Sequence, residues 1–248
     1  MDVLGVQVSL VNIPLACEKI EEWIAERKRS YVCVAPVAVV MDCQDDPEYR
    51  MIVNSADMVT PDGMPLVWLG RLRGHQEIAR TYGPDLMLAL CERGQAKDYK
   101  HYLYGATPDT CQRLEETLKK KFPRLNILGK FSPPYERKFA FESDERIGEI
   151  NRLNPDILWV ALGSPKQDYW IHHHRGRLNA PVMMAVGAAF DFLSGVKRQA
   201  PRWMQRCGLE WAFRLSCEPR RLWRRYLLGN SRFVYLLGRE FVRGKLMA

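Results

Sequence analysis

The sequence is short of several features that would have fixed its class at once. It opens Met1-Asp2-Val3-Leu4-Gly5-Val6, with an acid where a secretory leader carries a basic n-region, so no signal peptide is expected and the protein is placed inside the cell. No run approaches the ~20 apolar residues that span a bilayer. The longest candidate, Val32 to Met41, is short and holds Pro36, so any membrane contact is expected to be peripheral. No C-x-x-C pair occurs, and seven cysteines are an odd number, which fits reduced thiols rather than a disulfide framework. G-x-G-x-x-G and G-x-x-x-x-G-K-[ST] are both absent, which removes the dinucleotide fingerprint and the Walker loop. G-x-S-x-G and H-E-x-x-H are missing too, and His172-His173-His174 are consecutive, so a helix would point them in three directions. No metal site and no cofactor is expected.

What the chain does have is a lopsided charge. From Lys197 onward 13 Lys/Arg face three acids, Glu210, Glu218 and Glu240, whereas residues 1–196 hold 24 basic and 26 acidic side chains. The basic residues of this last fifth alternate with Trp203, Trp211, Trp223, Tyr226, Phe233, Tyr235 and Phe241. Cations interleaved with rings favour an anionic lipid surface. A solvated helical face is the plain alternative, and a nucleic-acid surface has no recognition motif to support it.

Before that tail the chain reads as alternating strands and helices. Val3 to Val8 reads as a strand, Ala16 to Arg29 as a helix, Tyr31 to Val34 as a strand, Val37 to Cys43 and Pro47 to Val53 as helices, and Met58-Val59 as a short strand before a helix at 66–69. From His101 to Val186 four further strands alternate with three helices, at 108–121, 143–153 and 165–174. The fold class expected is α/β, a parallel sheet with helices on both faces. The boundary is set near Gly195, giving an α/β lobe over 1–195 and a basic helical appendage over 196–248, with short helices at 201–205, 209–216 and 219–228. In such sheets ligands bind beyond the carboxyl ends of the strands, where Gly105, Gly163 and Gly187 let backbone N–H groups approach a phosphate. Asp62 stands at one of these strand ends between Thr60-Pro61 and Gly63-Met64-Pro65. A free carboxylate there, with a pKa of about 3.9, could accept a hydroxyl proton, or simply cap the next helix.

Taken in order, Thr60-Pro61-Asp62-Gly63-Met64-Pro65-Leu66-Val67, Arg80-Thr81-Tyr82-Gly83-Pro84-Asp85-Leu86-Met87, Gly163-Ser164-Pro165-Lys166-Gln167 and Val186-Gly187-Ala188-Ala189-Phe190-Asp191 resemble glycosyltransferase family 26. Ala200-Pro201-Arg202-Trp203, Gly208 to Leu215 and Glu218-Pro219-Arg220-Arg221 extend the likeness over nearly the whole chain. The resemblance implies inverting, metal-independent transfer of N-acetylmannosamine, its uronic acid or a related hexose. The sugar passes from a UDP-sugar to a polyprenyl-diphosphate-linked sugar at the cytoplasmic membrane face, in bacterial cell-surface polysaccharide synthesis. It implies Asp62 as general base, Arg80 and Gln167 as substrate contacts, and nucleotide contacts around Tyr135, Lys166 and Asp191. It also implies that the tail closes over the site, with Arg214, Arg221 and Arg224 facing the leaving diphosphate. Where members often carry Thr and Asn, this chain has Val34-Ala35-Pro36-Val37-Ala38, whose side chains offer no hydrogen bond. A second reading is a non-catalytic protein that keeps the fold and docks on lipid or on a synthesis complex. Self-association is left open.

Overall fold

Runs of Val, Ala and aromatic residues, punctuated by helix caps, set the order of elements, and the computed structural model describes residues 1–134 and 141–243. The expected first strand is instead a small antiparallel hairpin, β1 (Asp2–Val3) and β2 (Val6–Gln7), because Leu4 and Gly5 both turn through positive φ. Then come α1 (Ile13–Ala25), β3 (Ser30–Ala35), α2 (Val37–Asp45), α3 (Pro47–Asn54), β4 (Met58–Pro61) and α4 (Met64–Leu72). The lobe continues with α5 (Gly83–Lys97), β5 (Lys100–Gly105), α6 (Pro108–Lys121), β6 (Asn126–Phe131), α7 (Asp144–Leu153), β7 (Ile157–Ala161), α8 (Lys166–His174), β8 (Val182–Ala185) and α9 (Ala189–Leu193). Local chemistry fixes several helix starts: Asn12, Asp46, Thr107 and Ser143 each accept a backbone N–H through a side-chain oxygen at a helix N-terminus. The helix α5, which the sequence reading passes over, begins with Pro84 in its first turn, where the missing N–H costs nothing.

β3 to β8 form one parallel sheet in the order β4-β3-β8-β7-β5-β6, as the α/β reading expects. Successive strand residues point to opposite faces, so Tyr31 and Cys33 enter one core with Tyr104, Val160 and Met183, while Val32 and Val34 enter the other with Leu103, Trp159 and Met184. Helices cover both faces, which explains why β3, β7 and β8 are buried along their whole length rather than alternating, while the edge strand β6 is only partly buried. Trp159 is fully buried, and truncating such a ring to Ala costs about 3–5 kcal/mol. The buried carboxylate of Asp168 on α8 accepts hydrogen bonds from the Tyr31 and Tyr49 hydroxyls. Burial pushes its pKa up, and those donors pull against it.

All six strands run the same way, so their carboxyl ends share one edge. β3 and β8 are neighbours, yet the chain leaves β3 toward β4 and reaches β8 from β7, on the other side. That divergence opens a crevice at the strand ends.

Beyond it lie α10 (Arg202–Arg206), α11 (Glu210–Cys217), α12 (Pro219–Trp223), a π-helical turn at Arg224–Leu228 and α13 (Gly229–Val242). The helix expected over 219–228 is thus divided, and α13, which the sequence reading passes over, forms across Gly229 and Gly238. Packing decides it: Phe233 of α13 is buried in the first core with Leu236 and Leu237 against it, and Arg232 pairs with Asp45 of α2 at 2.7 Å. Five cysteines are buried, Cys207 and Cys217 are exposed, and all seven are free. Among the described residues no helix is long and apolar enough to cross a membrane.

Candidate active site

Two cavities meet at the strand ends. One, of about 330 Å³, is lined mainly by polar groups between the β7, β8 and β3 ends and the tail; the other, of about 560 Å³, is apolar and lies between α4, α11 and α13. Pro36, Asp62, Arg214 and Arg225 line both.

Asp62 follows β4 directly, and its backbone N–H donates to the Ala35 carbonyl at the end of β3, which pins the turn. It is not the helix cap: Gly63 is the N-cap residue of α4 and provides no side-chain bond. Among the described residues the Asp62 carboxylate accepts only a long bond, 3.4 Å, from the Gly83 N–H. Burial drives its pKa up to about 6; Arg80 pulls it down, Glu210 pushes it up, and Arg214 and the Gly83 N–H pull it down. A carboxylate with that pKa is mostly ionised at neutral pH and takes up a proton more readily than a free Asp.

Arg80 sits beside it, already committed. Its Nε donates to the Asp62 carbonyl at 2.7 Å and its Nη1 to Gln205 Oε1 at 3.0 Å, Nη2 pairs with Glu210, and the guanidinium lies 3.9 Å from the Tyr82 ring centroid. Tyr82 also donates its hydroxyl to Glu210 at 3.1 Å. Gln205 and Glu210 belong to the tail, so this cluster ties the tail to the loop that carries Asp62. Glu210 and Tyr82 are two residues that sequence reasoning did not single out.

On the polar side Gln167 of α8 is 2% exposed and lines the cavity. Its Nε2 donates to Ser164 Oγ at 3.3 Å, while its Oε1 has no partner among the described residues. Gly187, at φ 52°, brings the β8 loop against this amide, where a Cβ would stand 3.4 Å from Oε1. Gly163 and Asp191 also line the cavity, and Asp191 is paired with Lys197 at 2.8 Å. Gly105, at φ 116°, packs against the Ala161 backbone, where a Cβ would come within 2.5 Å of the carbonyl oxygen, and leaves Ala106 to line the cavity. Thr60 is buried below the floor and donates to the Thr81 carbonyl at 3.2 Å. Gly63 lines the apolar cavity, and Lys166 lines neither. Tyr135 lies outside the described residues.

Of the three expected tail arginines, Arg214 and Arg221 line the polar cavity, where Arg214 lies 5.2 Å from the Phe192 ring centroid and Arg221 holds Glu218 at 2.6 Å. Arg224 is exposed, over the Trp223 ring at 5.2 Å, and Arg225 takes the place at the cavity. The reason is local: the π-turn starts at Arg224, widening the helix so that the residue four beyond Arg221, not three, faces inward. With Lys197, these make four cationic side chains on the wall of one polar cavity.

The sequence can be compared with those of several known proteins. A protein of Bacillus spizizenii (strain W23), named N-acetylglucosaminyldiphosphoundecaprenol N-acetyl-beta-D-mannosaminyltransferase, is 30% identical over 205 residues, 83% of this chain and 77% of its own. One of the same name from Bacillus subtilis (strain 168) is 29% identical over 87% of this chain and 85% of its own, and one from Staphylococcus aureus 23% identical over 90% and 87%. The sequence matches the family described as glycosyl transferase WecG/TagA/CpsF over residues 1–246. With its parallel sheet, its two joined cavities and a match of nearly full length, the chain belongs to the WecG/TagA/CpsF family of glycosyltransferases.

Proposed function

We propose that this protein transfers N-acetylmannosamine, its uronic acid or a related hexose from a UDP-sugar to a polyprenyl-diphosphate-linked sugar, with inversion and without a metal. The observation that carries this reading is the position of the Asp62 carboxylate at the junction of a cationic cavity and an apolar one. The names of the bacillary and staphylococcal relatives, which specify a diphosphoundecaprenol acceptor, support it.

In this reading the nucleotide diphosphate occupies the polar cavity, with the unpaired Gln167 Oε1 accepting from a ribose hydroxyl or a base N–H. Asp62 removes the proton from the acceptor hydroxyl as its oxygen attacks the anomeric carbon. The bond from that carbon to the diphosphate oxygen breaks, and UDP departs with its charge facing Arg214, Arg221 and Arg225. A single displacement inverts the anomeric centre. Fixed guanidiniums stabilise the leaving group in the role that a divalent cation plays elsewhere. The lobe over 1–195 supplies the base and most of the nucleotide cavity, and the tail supplies the leaving-group arginines, closes the site and holds the enzyme on the cytoplasmic face of the membrane.

The test is UDP release with a polyprenyl-diphosphate N-acetylglucosamine acceptor and a panel of UDP-sugars, with and without chelator, followed by NMR assignment of the new linkage. Turnover insensitive to chelator, with an inverted anomeric centre, is expected. Absence of turnover with every donor would favour the docking protein instead.

A further inference from the structure

Helix α4 is apolar on more of its surface than a lobe core needs. Leu66, Val67 and Leu69 are buried inward, yet Met64, Pro65, Trp68 and Leu72 continue the apolar surface on the side that lines the 560 Å³ cavity. Opposite stand Leu209 of the tail and Val234 and Leu237 of α13. Gly208, at φ 70°, seals the wall, since a Cβ there would come within 2.6 Å of the Trp68 ring. Besides Asp62, Arg214 and Arg225 the lining holds the Arg80–Gln205–Glu210 cluster beside Asp62 and Asn230 of α13, and Leu72 and Val234 are 78% and 69% exposed. From Met64 to Leu72 the groove wall runs roughly 13 Å at 1.5 Å per helical residue.

We propose that this groove binds the first isoprene units of the lipid-linked acceptor, so that the prenyl chain lies along α4 and α13 and its diphosphate meets Arg214 and Arg225. The inference rests on the acceptor class proposed above and adds where its hydrocarbon goes. Continuity decides the occupant. An acceptor whose sugar hydroxyl reaches Asp62 has its diphosphate one sugar ring away and its prenyl chain directly behind. The groove offers cationic groups at the Asp62 end and apolar walls beyond, in that order. The run Val34 to Ala38 fits the same purpose, because Pro36, Val37 and Ala38 line the groove and present hydrocarbon where a sugar-binding wall would present donors and acceptors.

The test compares acceptors that carry the same diphosphate sugar on a two-carbon alkyl group, a ten-carbon prenyl group and a prenyl group of fifteen carbons, all in solution without vesicles. For the unaltered protein kcat/KM is expected to rise at least tenfold from the shortest to the longest, through KM. In Leu72→Glu and Val234→Glu, both on exposed side chains and checked for an unchanged melting temperature, that ratio should collapse toward one. Met51→Glu, on the exposed face of α3 away from the groove, should keep it. Equal kcat/KM for all three acceptors in the unaltered protein would overturn the proposal. A second readout does not depend on turnover: a fifteen-carbon prenyl diphosphate bearing a benzophenone should crosslink to peptides of α4 or α13. Crosslinks elsewhere, or between two copies of the chain across the groove, would overturn the proposal as well. Crosslinking in the groove without sugar transfer from any UDP-sugar would uphold the groove and sink the proposed reaction, which separates the two.

Discussion

The sheet lobe and the basic tail hold together by different means. Residues 1–196 are nearly balanced in charge and fill two continuous cores on either face of one sheet; from Lys197 on, the chain has a net charge of +10, and its buried apolar side chains among the described residues are Ala200, Leu222 and Phe233. The lobe is held by hydrocarbon burial, which contributes about 1.5–3 kcal/mol for each large side chain. The tail is held by a few anchors: Phe233 in the first core, the Arg80–Glu210 pair, and the pairs Lys197–Asp191, Arg202–Asp85 and Arg232–Asp45. Apart from the largely buried Arg80–Glu210, these pairs are exposed and contribute little each, so detaching the tail costs less than unfolding the lobe. In the proposed reaction the tail must admit a long lipid and release a nucleotide, and that difference suits it.

The comparison breaks first if chemistry does not belong to the lobe. Asp62→Asn keeps the size of the side chain and removes the proton acceptor, and turnover is expected to fall on the order of 10²–10³-fold while UDP affinity holds. The pH profile of the unaltered enzyme should carry the same signature, with kcat/KM dropping about tenfold per unit below the Asp62 pKa of about 6. Stability runs the opposite way. With a folded pKa raised above the ordinary 3.8, the native state holds a proton that the unfolded chain has lost, so this group lowers stability as pH climbs from 3.8 to about 6 and adds no further slope above. Asp62→Asn should therefore not lower the melting temperature at pH 7. Near-normal turnover, or an acid limb that persists in Asp62→Asn, would end the assignment.

The next comparison lies inside the tail. Arg225 lines both cavities while its neighbour Arg224 lies over Trp223 on the surface. Arg225→Ala is expected to reduce kcat on the order of tenfold to a hundredfold, and Arg224→Ala to leave it within about twofold. The reverse ranking would mean that the tail sits on the lobe in another register when substrate is bound.

These two tests also mark what was legible in the sequence. Continuous apolar runs and helical patterns carry the sheet and most of its helices, because five of the six strands are buried on both faces and α1, α3, α6 and α7 each have a side-chain cap. The ordered motifs carry Asp62, Gln167, Gly163, Gly187 and Asp191 to one edge, since strand ends gather there whatever the details. The tail was read less well. Its helices owe little to local signals, so α13 forms over two glycines because Phe233 has a core to enter, and the π-turn that replaces Arg224 by Arg225 leaves no trace in spacing. Arg80 is named by its motif, but only its partners reveal that it binds Glu210 and Gln205 rather than standing free. Nothing in the charge count hinted at Glu210, one of three acids in a basic segment, as the residue that joins tail to site.

Glu210→Gln sharpens the comparison with a smaller effect. It keeps a hydrogen-bond acceptor for Arg80 and Tyr82 but discards the charge, so the tail should hold less firmly by about 1–3 kcal/mol. Amide exchange over 202–217 should then quicken while β3, β7 and β8 keep their protection. Because the Glu210 charge pushes the Asp62 pKa up, the acid limb of kcat/KM should move to lower pH in this variant. A limb that moves to higher pH would show that the released Arg80 has swung away from Asp62, leaving burial unopposed.

The smallest effect concerns the outer face of α13, where the tail's charge and its rings meet solvent together. Tyr235, Phe241 and Val242 are exposed there with Arg239 and Arg243, a pattern suited to the boundary between lipid headgroups and acyl chains. Each Lys or Arg near an anionic leaflet contributes roughly 1 kcal/mol, and the attraction is screened over about 8–10 Å at physiological salt. Co-sedimentation with vesicles containing phosphatidylglycerol should exceed that with neutral vesicles and decline as salt is added. Arg239→Glu with Arg243→Glu reverses two charges and should weaken binding on the order of tenfold or more, yet leave transfer to a soluble short-chain acceptor within about twofold, since neither residue lines a cavity. Equal binding to both kinds of vesicle, before and after the double substitution, would mean that the tail's charge serves the active site alone, and that the difference between lobe and tail is one of catalysis rather than location.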